Sequence, residues 1–134
     1  MSAESNKAVC MRHYNEVLSG KKLDVIDEIY ADQIKIGDGP SIPREQFKAL
    51  ARLSTTAFPD LVVSVHDQMA ERDRVVSRWS AEGTHLGDFM GHPGTGKRVI
   101  IKAIHNHQVM DGRIATLWEE IDLLGLTKQL GISL

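Results

Sequence analysis

The dipeptide Asp111-Gly112 separates two long stretches of alternating apolar and polar residues, and it constrains the fold more than any other feature of the chain. A two-residue I′ hairpin loop needs positive φ at both central positions, which Asp-Gly adopts at low steric cost. The flanking stretches, Arg98 to Met110 and Arg113 to about Asp122, therefore read as paired antiparallel strands. With Met110 facing Arg113, straight pairing sets His107 against Thr116, His105 against Trp118, Ala103 against Glu120 and Ile101 against Asp122. Strand side chains alternate between faces. One face then collects Ile101, Ala103, His105, His107 and Val109 with Thr116, Trp118, Glu120 and Asp122; Leu117, Glu119 and Ile121 fall on the other. Two imidazoles, two carboxylates and an indole among apolar residues are what the wall of a ligand pocket looks like. In this register His105 and Glu120 are diagonal neighbours within hydrogen-bond reach. Asp122 lies about 13 Å along the strand, so its partnership with His105 needs substrate, water or a bulge.

The rest of the chain supplies helices first and strands later. Met11, Tyr14 and Leu18 follow a helical spacing, with Ser5 or Asn6 as the N-cap and Gly20 as the stop. A second short helix is expected over about Leu23 to Tyr30, then a short strand over Gln33 to Ile36 and a turn at Gly37 to Pro40. Pro43 suits the first turn of a third helix with Phe47, Leu50, Ala51 and Ser54 on one face. From Leu61 the period becomes two, a turn near Arg72-Asp73 leads into Val75 to His85, and the Gly-rich stretch Gly87 to Gly96 reads as a pocket rim. It lacks the spacing of a phosphate-binding loop. The tail from Leu123 can form a short helix. Three helices followed by a mostly antiparallel meander predict an α+β fold, one domain over residues 1–134, with a curved sheet covered by the helices.

Composition narrows the function. With 134 residues, 42% hydrophobic and 25% charged, the chain can bury a core without staples. Its formal charge of −2 has both signs scattered, with no basic stripe for nucleic acid. No apolar run reaches the length of a membrane span, and the polar start Met1 to Lys7 does not read as a signal peptide. A single cysteine, Cys10, excludes an intrachain disulfide and sits in an apolar run, as an inert buried thiol does. A cytoplasmic location is expected.

Longer motifs carry a family resemblance. Ala57-Phe58-Pro59-Asp60-Leu61, the strand Arg78 to His85, Gly87-Asp88-Phe89-Met90-Gly91 and Pro93-Gly94-Thr95-Gly96-Lys97 belong to it. So do Asp111-Gly112-Arg113-Ile114, Trp118 through Asp122 with Leu123-Leu124-Gly125-Leu126, and Gln129-Leu130-Gly131. Together they resemble the SnoaL-like polyketide cyclases and the related ester cyclases of the nuclear transport factor 2-like superfamily. The resemblance implies a cone-shaped barrel, a homodimer or higher homo-oligomer, and a cofactor-free, metal-free pocket for an apolar small molecule. It also implies an acid near the end of the last strand, matched by Asp122, as general acid/base in an aldol-type ring closure. His107 or His105 on the preceding strand would assist. Tyr14, Trp79, His85, Phe89, Met90, Trp118 and Glu120 are the candidates for contacting substrate. The spacing His105-x-His107, completed by His85 or Glu120, would also suit a metal, but that spacing is common by chance. Hydration, hydroxylation or epoxide opening in the same pocket, and a ligand-binding module without catalysis, are the rival readings.

Overall fold

The computed structural model describes residues 2–133. Helix α1 (Ala3–Arg12) opens on a capping box between Ser2 and Ser5, so the cap lies upstream of the expected Ser5 or Asn6. It continues as a π-helix over His13–Ser19, which turns the neighbours His13, Tyr14, Val17 and Leu18 into the interior. Gly20 ends it where a Cβ would stand 2.7 Å from the Glu16 carbonyl oxygen. A 3₁₀ turn (Leu23–Val25) and the short α2 (Ile26–Ile29) follow. Tyr30, expected at the end of that helix, instead begins strand β1 (Tyr30–Ile36). After β2 (Ser41–Pro43), Pro43 occupies the N-cap of α3 (Arg44–Ala57) rather than its first turn. Lys48 on α3 reaches Asp27 at 2.8 Å and Arg44 reaches it at 3.3 Å, tying α3 to α2.

Strands β3 (Val62–Glu71), β4 (Arg74–Thr84), β5 (Arg98–Met110) and β6 (Arg113–Ile121) complete one six-stranded sheet, in the order β2-β1-β6-β5-β4-β3. Only β1 and β6 pair in parallel. Long strands twist and curl, and the helices cover the concave side. Alternation along β4 and β5 buries Val75, Ser77, Trp79 and Ala81 with Val99, Ile101, Ala103, His105, His107 and Val109. The short α4 (Leu123–Leu130) adds Leu126 and Leu130 to the core. Among the described residues no helix is long and apolar enough to cross a membrane.

The β5–β6 hairpin forms as its turn residues dictate, with φ of 52° at Asp111 and 77° at Gly112 and Met110 opposite Arg113. Straight pairing ends after the next rung. Val109 faces Ile114 but Gln108 faces Thr116, leaving Ala115 as the surplus residue of a β-bulge. Thr116 Oγ1 donates to Gln108 Oε1 at 3.0 Å, and Gln108 Nε2 donates to Asp73 Oδ2 at 2.9 Å, which pins the shifted register to the β3–β4 turn. His107 therefore faces Leu117, His105 faces Glu119 and Ala103 faces Ile121. One slipped residue exchanges the two faces of β6. The expected grouping of Trp118, Glu120 and Asp122 with the imidazoles is thereby overturned, and Leu117, Glu119 and Ile121 take their place.

Asp122 leaves the sheet as the N-cap of α4, where its Oδ1 accepts the Gly125 amide at 2.9 Å. A Cβ at position 125 would collide with that carboxylate, so the glycine and the cap form one device. Asp122→Ala should lower stability by about 1 kcal/mol in urea unfolding, while Asp122→Asn, which keeps an acceptor, should lose far less. Equal losses would refute the cap.

Two core imidazoles set a pH dependence. Burial, with neighbouring imidazoles adding to it, pushes His13 down to about 3 and His107 well below the usual imidazole range. In the unfolded chain both titrate near 6.5. Between that value and about 3 the unfolded state binds more protons, so stability is full above pH 6.5 and falls as pH drops. Each imidazole should cost about 2 kcal/mol between pH 7 and pH 5, read as a drop in the urea midpoint. A midpoint constant over that range would show that the two rings are not buried neutral.

Candidate active site

A cavity of about 560 Å³ lies between the concave sheet and α3, within the size range of small-molecule sites. Its walls are largely apolar, including Leu18, Phe47, Phe58, Leu61, Ile101, Leu117 and Leu126. The face of α3 read from the sequence borders it through Phe47, Leu50, Ala51 and Ser54. That explains why Leu50 stays 48% exposed on an amphipathic helix: its apolar side looks into a hollow.

One short polar contact stands on this wall. His105 Nε2 and Glu119 Oε2 are 2.6 Å apart, brought opposite each other by the bulged register. On the other side of the ring, Nδ1 lies 3.0 Å from Trp79 Nε1 and 2.7 Å from the Tyr14 hydroxyl. An indole nitrogen can only donate, so Nδ1 must accept, and the ring proton belongs on Nε2 facing Glu119. The Trp79 indole also stacks on the imidazole with centroids 5.2 Å apart. This hydrogen bond from His105 holds the Glu119 carboxyl below the usual carboxylate range, although burial pushes the other way. With 41% of its side-chain surface accessible, Glu119 is an ionised carboxylate that a molecule in the cavity can touch. His13 and Tyr30 add a second polar pair on the wall, the Tyr30 hydroxyl lying 3.0 Å from His13 Nδ1.

The candidates read from the sequence are distributed unevenly around this site. His105, Trp79, Phe89 and Met90 border the cavity. Tyr14 is fully buried behind it and touches His105 rather than the hollow. His107 is also sealed off, with its ring 4.7 Å from that of His105 and neither nitrogen hydrogen-bonded. His85 is buried beneath the rim, where its Nδ1 accepts the Thr95 amide at 3.2 Å, so it anchors the rim instead of lining the pocket. Trp118, Glu120 and Asp122 stand on the opposite side of β6. Trp118 carries the Arg74 guanidinium 4.5 Å over its ring. Glu120 and Asp122 border a separate outer groove of about 500 Å³ with Arg78 and Lys102. Among the described residues no three His, Cys, Asp or Glu side chains are arranged to hold a metal ion.

The rim itself is a tight turn. Phe89 and His92 exchange backbone hydrogen bonds of 2.9 Å, with Met90 at φ 50° and Gly91 at φ 83° between them. Phe89 packs on Phe58, ring centroids 5.7 Å apart, while Leu86 and Gly87 donate their amides to Ala57 at the end of α3. Sequence reasoning missed Glu119, His13 and Tyr30. For Glu119 a signal existed: Ile114 and Leu117, the large aliphatic residues of early β6, are three apart and can share a buried face only if one residue bulges out.

Comparison with known proteins agrees with this architecture. The family model described as SnoaL-like polyketide cyclase matches residues 8–130. Aklanonic acid methyl ester cyclase DnrD of Streptomyces peucetius is 28% identical over 121 residues, covering 84% of this chain and 81% of that protein. The proposed hydroxylase AclR of Streptomyces galilaeus is 29% identical, with a TM-score of 0.86 over 97% of this chain and 83% of that one. The proposed polyketide cyclase IdmH of Streptomyces antibioticus is 28% identical, with a TM-score of 0.79 over 95% and 99% of the two chains. By the length of its match to the family model, in a fold these structures share, the chain belongs to the SnoaL-like polyketide cyclase family.

Proposed function

We propose that the protein closes a ring in an apolar, carbonyl-rich substrate by general acid/base catalysis, with Glu119 as the proton-transferring group and His105 as its positioning partner. The observation that carries this reading is the 2.6 Å hydrogen bond between His105 and Glu119 inside a largely apolar cavity. A proton on carbon between two carbonyls is acidic enough for a carboxylate to remove without a cofactor. Glu119 takes that proton, and the electron pair of the C–H bond passes into an enolate. The enolate carbon attacks a second carbonyl of the same molecule, forming the C–C bond and leaving an alkoxide. Protonated Glu119 returns its proton to the alkoxide, so the enzyme ends unchanged. The cavity contributes orientation, because a chain folded with its reacting carbons in contact has already lost much of the entropy that opposes closure. In this reading Asp122 is structural, and the acid expected there is supplied three residues earlier.

The similarity to DnrD makes aklanonic acid methyl ester a defined first substrate to assay. Glu119→Gln should reduce turnover by about 10²- to 10⁴-fold, whereas Asp122→Asn should stay within a few-fold of wild type. Retained activity in Glu119→Gln together with loss in Asp122→Asn would reverse the assignment. The similarity to AclR favours a second reading, in which the same carboxylate takes a proton from a water that adds to a polarised double bond or opens an epoxide of the substrate, and returns that proton to the product. Labelled oxygen from solvent water appearing at a carbon of the product would support that chemistry, and its absence supports ring closure.

A further inference from the structure

The proposed reaction builds negative charge on a substrate oxygen as the enolate forms, yet while Glu119 is taking the carbon proton the Glu119–His105 pair supplies no donor for it. The ring proton of His105 is engaged by the carboxylate, and its Nδ1 is an acceptor for Trp79 and Tyr14. His107 is sealed behind the wall. Among the imidazole and phenol groups on the wall, the Tyr30–His13 pair is left. Tyr30 is fully buried, and among the described residues its hydroxyl has one hydrogen-bond partner, His13 Nδ1 at 3.0 Å. A buried hydroxyl proton without an acceptor is costly. Here its acceptor can only be Nδ1. The proton of the neutral imidazole must then sit on Nε2. Among the described residues that nitrogen has no hydrogen-bond partner and it is not occluded, while His13 itself borders the cavity. The rings of His13 and His105 are 5.9 Å apart, which sets an N–H donor beside the carboxylate's partner on the same wall.

We infer that His13 is a catalytic residue that donates its Nε2–H to the substrate oxygen on which negative charge develops, with Tyr30 as the positioning residue that fixes this tautomer. The inference rests on the ring-closure reading for its role in turnover, but its donor geometry stands separately. Burial keeps the Tyr30 hydroxyl protonated and pushes His13 down to about 3, so the donor is a neutral imidazole across the neutral pH range. A neutral donor suits this task. It stabilises an enolate or alkoxide without surrendering its proton, leaving the proton inventory to Glu119.

Two measurements test it. In ¹⁵N-labelled protein, His13 should be the neutral Nε2–H tautomer from pH 8 to pH 6, and Tyr30→Phe should allow the Nδ1–H form to appear. An Nδ1–H tautomer or an imidazolium in the wild type would overturn the inference. For binding, the probes are 2-naphthol, an apolar ring system with one oxygen acceptor, and naphthalene, which lacks it. Wild type should prefer 2-naphthol, and His13→Leu should weaken 2-naphthol about tenfold or more while changing naphthalene little. His13→Gln, which restores an N–H donor, should recover most of that preference. Equal affinity of the wild type for both probes, or equal losses for both in His13→Leu, would overturn it. Full turnover in Glu119→Gln would remove the base and leave these binding ratios standing, so the two ideas fail separately.

Discussion

The hydrogen bond between His105 and Glu119 exists because β6 carries one more residue than straight pairing with β5 allows. Ala115 is that residue, and its displacement decides which acids of the last strand face the hollow and which face outward. Side-chain bonds from Thr116 to Gln108 and from Gln108 to Asp73 hold the slipped register, so the bulge is anchored to the β3–β4 turn as well as to its own hairpin. Downstream, Asp122 is free to cap α4 because it no longer belongs to the inward face. The carboxylate in the cavity, the apolar wall around it and the closing helix all follow from one local departure from alternation.

Polarity in this interior is concentrated rather than spread. His13, Tyr14, Tyr30, Trp79 and His105 form two short chains of hydrogen bonds, each ending at the cavity. In both, a buried donor fixes the tautomer of an imidazole: the Trp79 indole, which can only donate, for His105, and the Tyr30 hydroxyl, whose proton finds its acceptor in Nδ1, for His13. One ring then presents its N–H to a carboxylate and the other presents it to the hollow. The arrangement costs stability in acid, since His13 is held neutral inside by burial and is readily protonated in the unfolded chain. Tyr14, behind the wall, and Tyr30, on it, thus act on chemistry through orientation.

Much of the fold could be read from the sequence. Asp111-Gly112 located the hairpin turn, the alternation of Arg98 to Met110 gave the inward face of β5, and Phe47, Leu50, Ala51 and Ser54 share one face of α3 as their spacing predicts. Those features rest on local rules, either turn conformation or side-chain period, that act within a few residues. The site was only half legible. His105 lies on an unbroken stretch of strand, and it fell where counting put it. Glu119 lies beyond the bulge, and a single uncounted residue exchanged it with Glu120 and Asp122. His13 and Tyr30 were invisible for another reason. Their importance comes from a contact between a π-helical turn and the first residue of β1, which no local pattern encodes.

The register of β5 against β6 is the most direct test of this account, and it can be read by NMR in the free protein. Interstrand nuclear Overhauser contacts should pair His107 with Leu117, His105 with Glu119 and Ala103 with Ile121. Contacts pairing His107 with Thr116 and His105 with Trp118 would mean that the strand runs straight. Glu119 would then point away from the cavity, and the proposed base would have no access to a bound molecule.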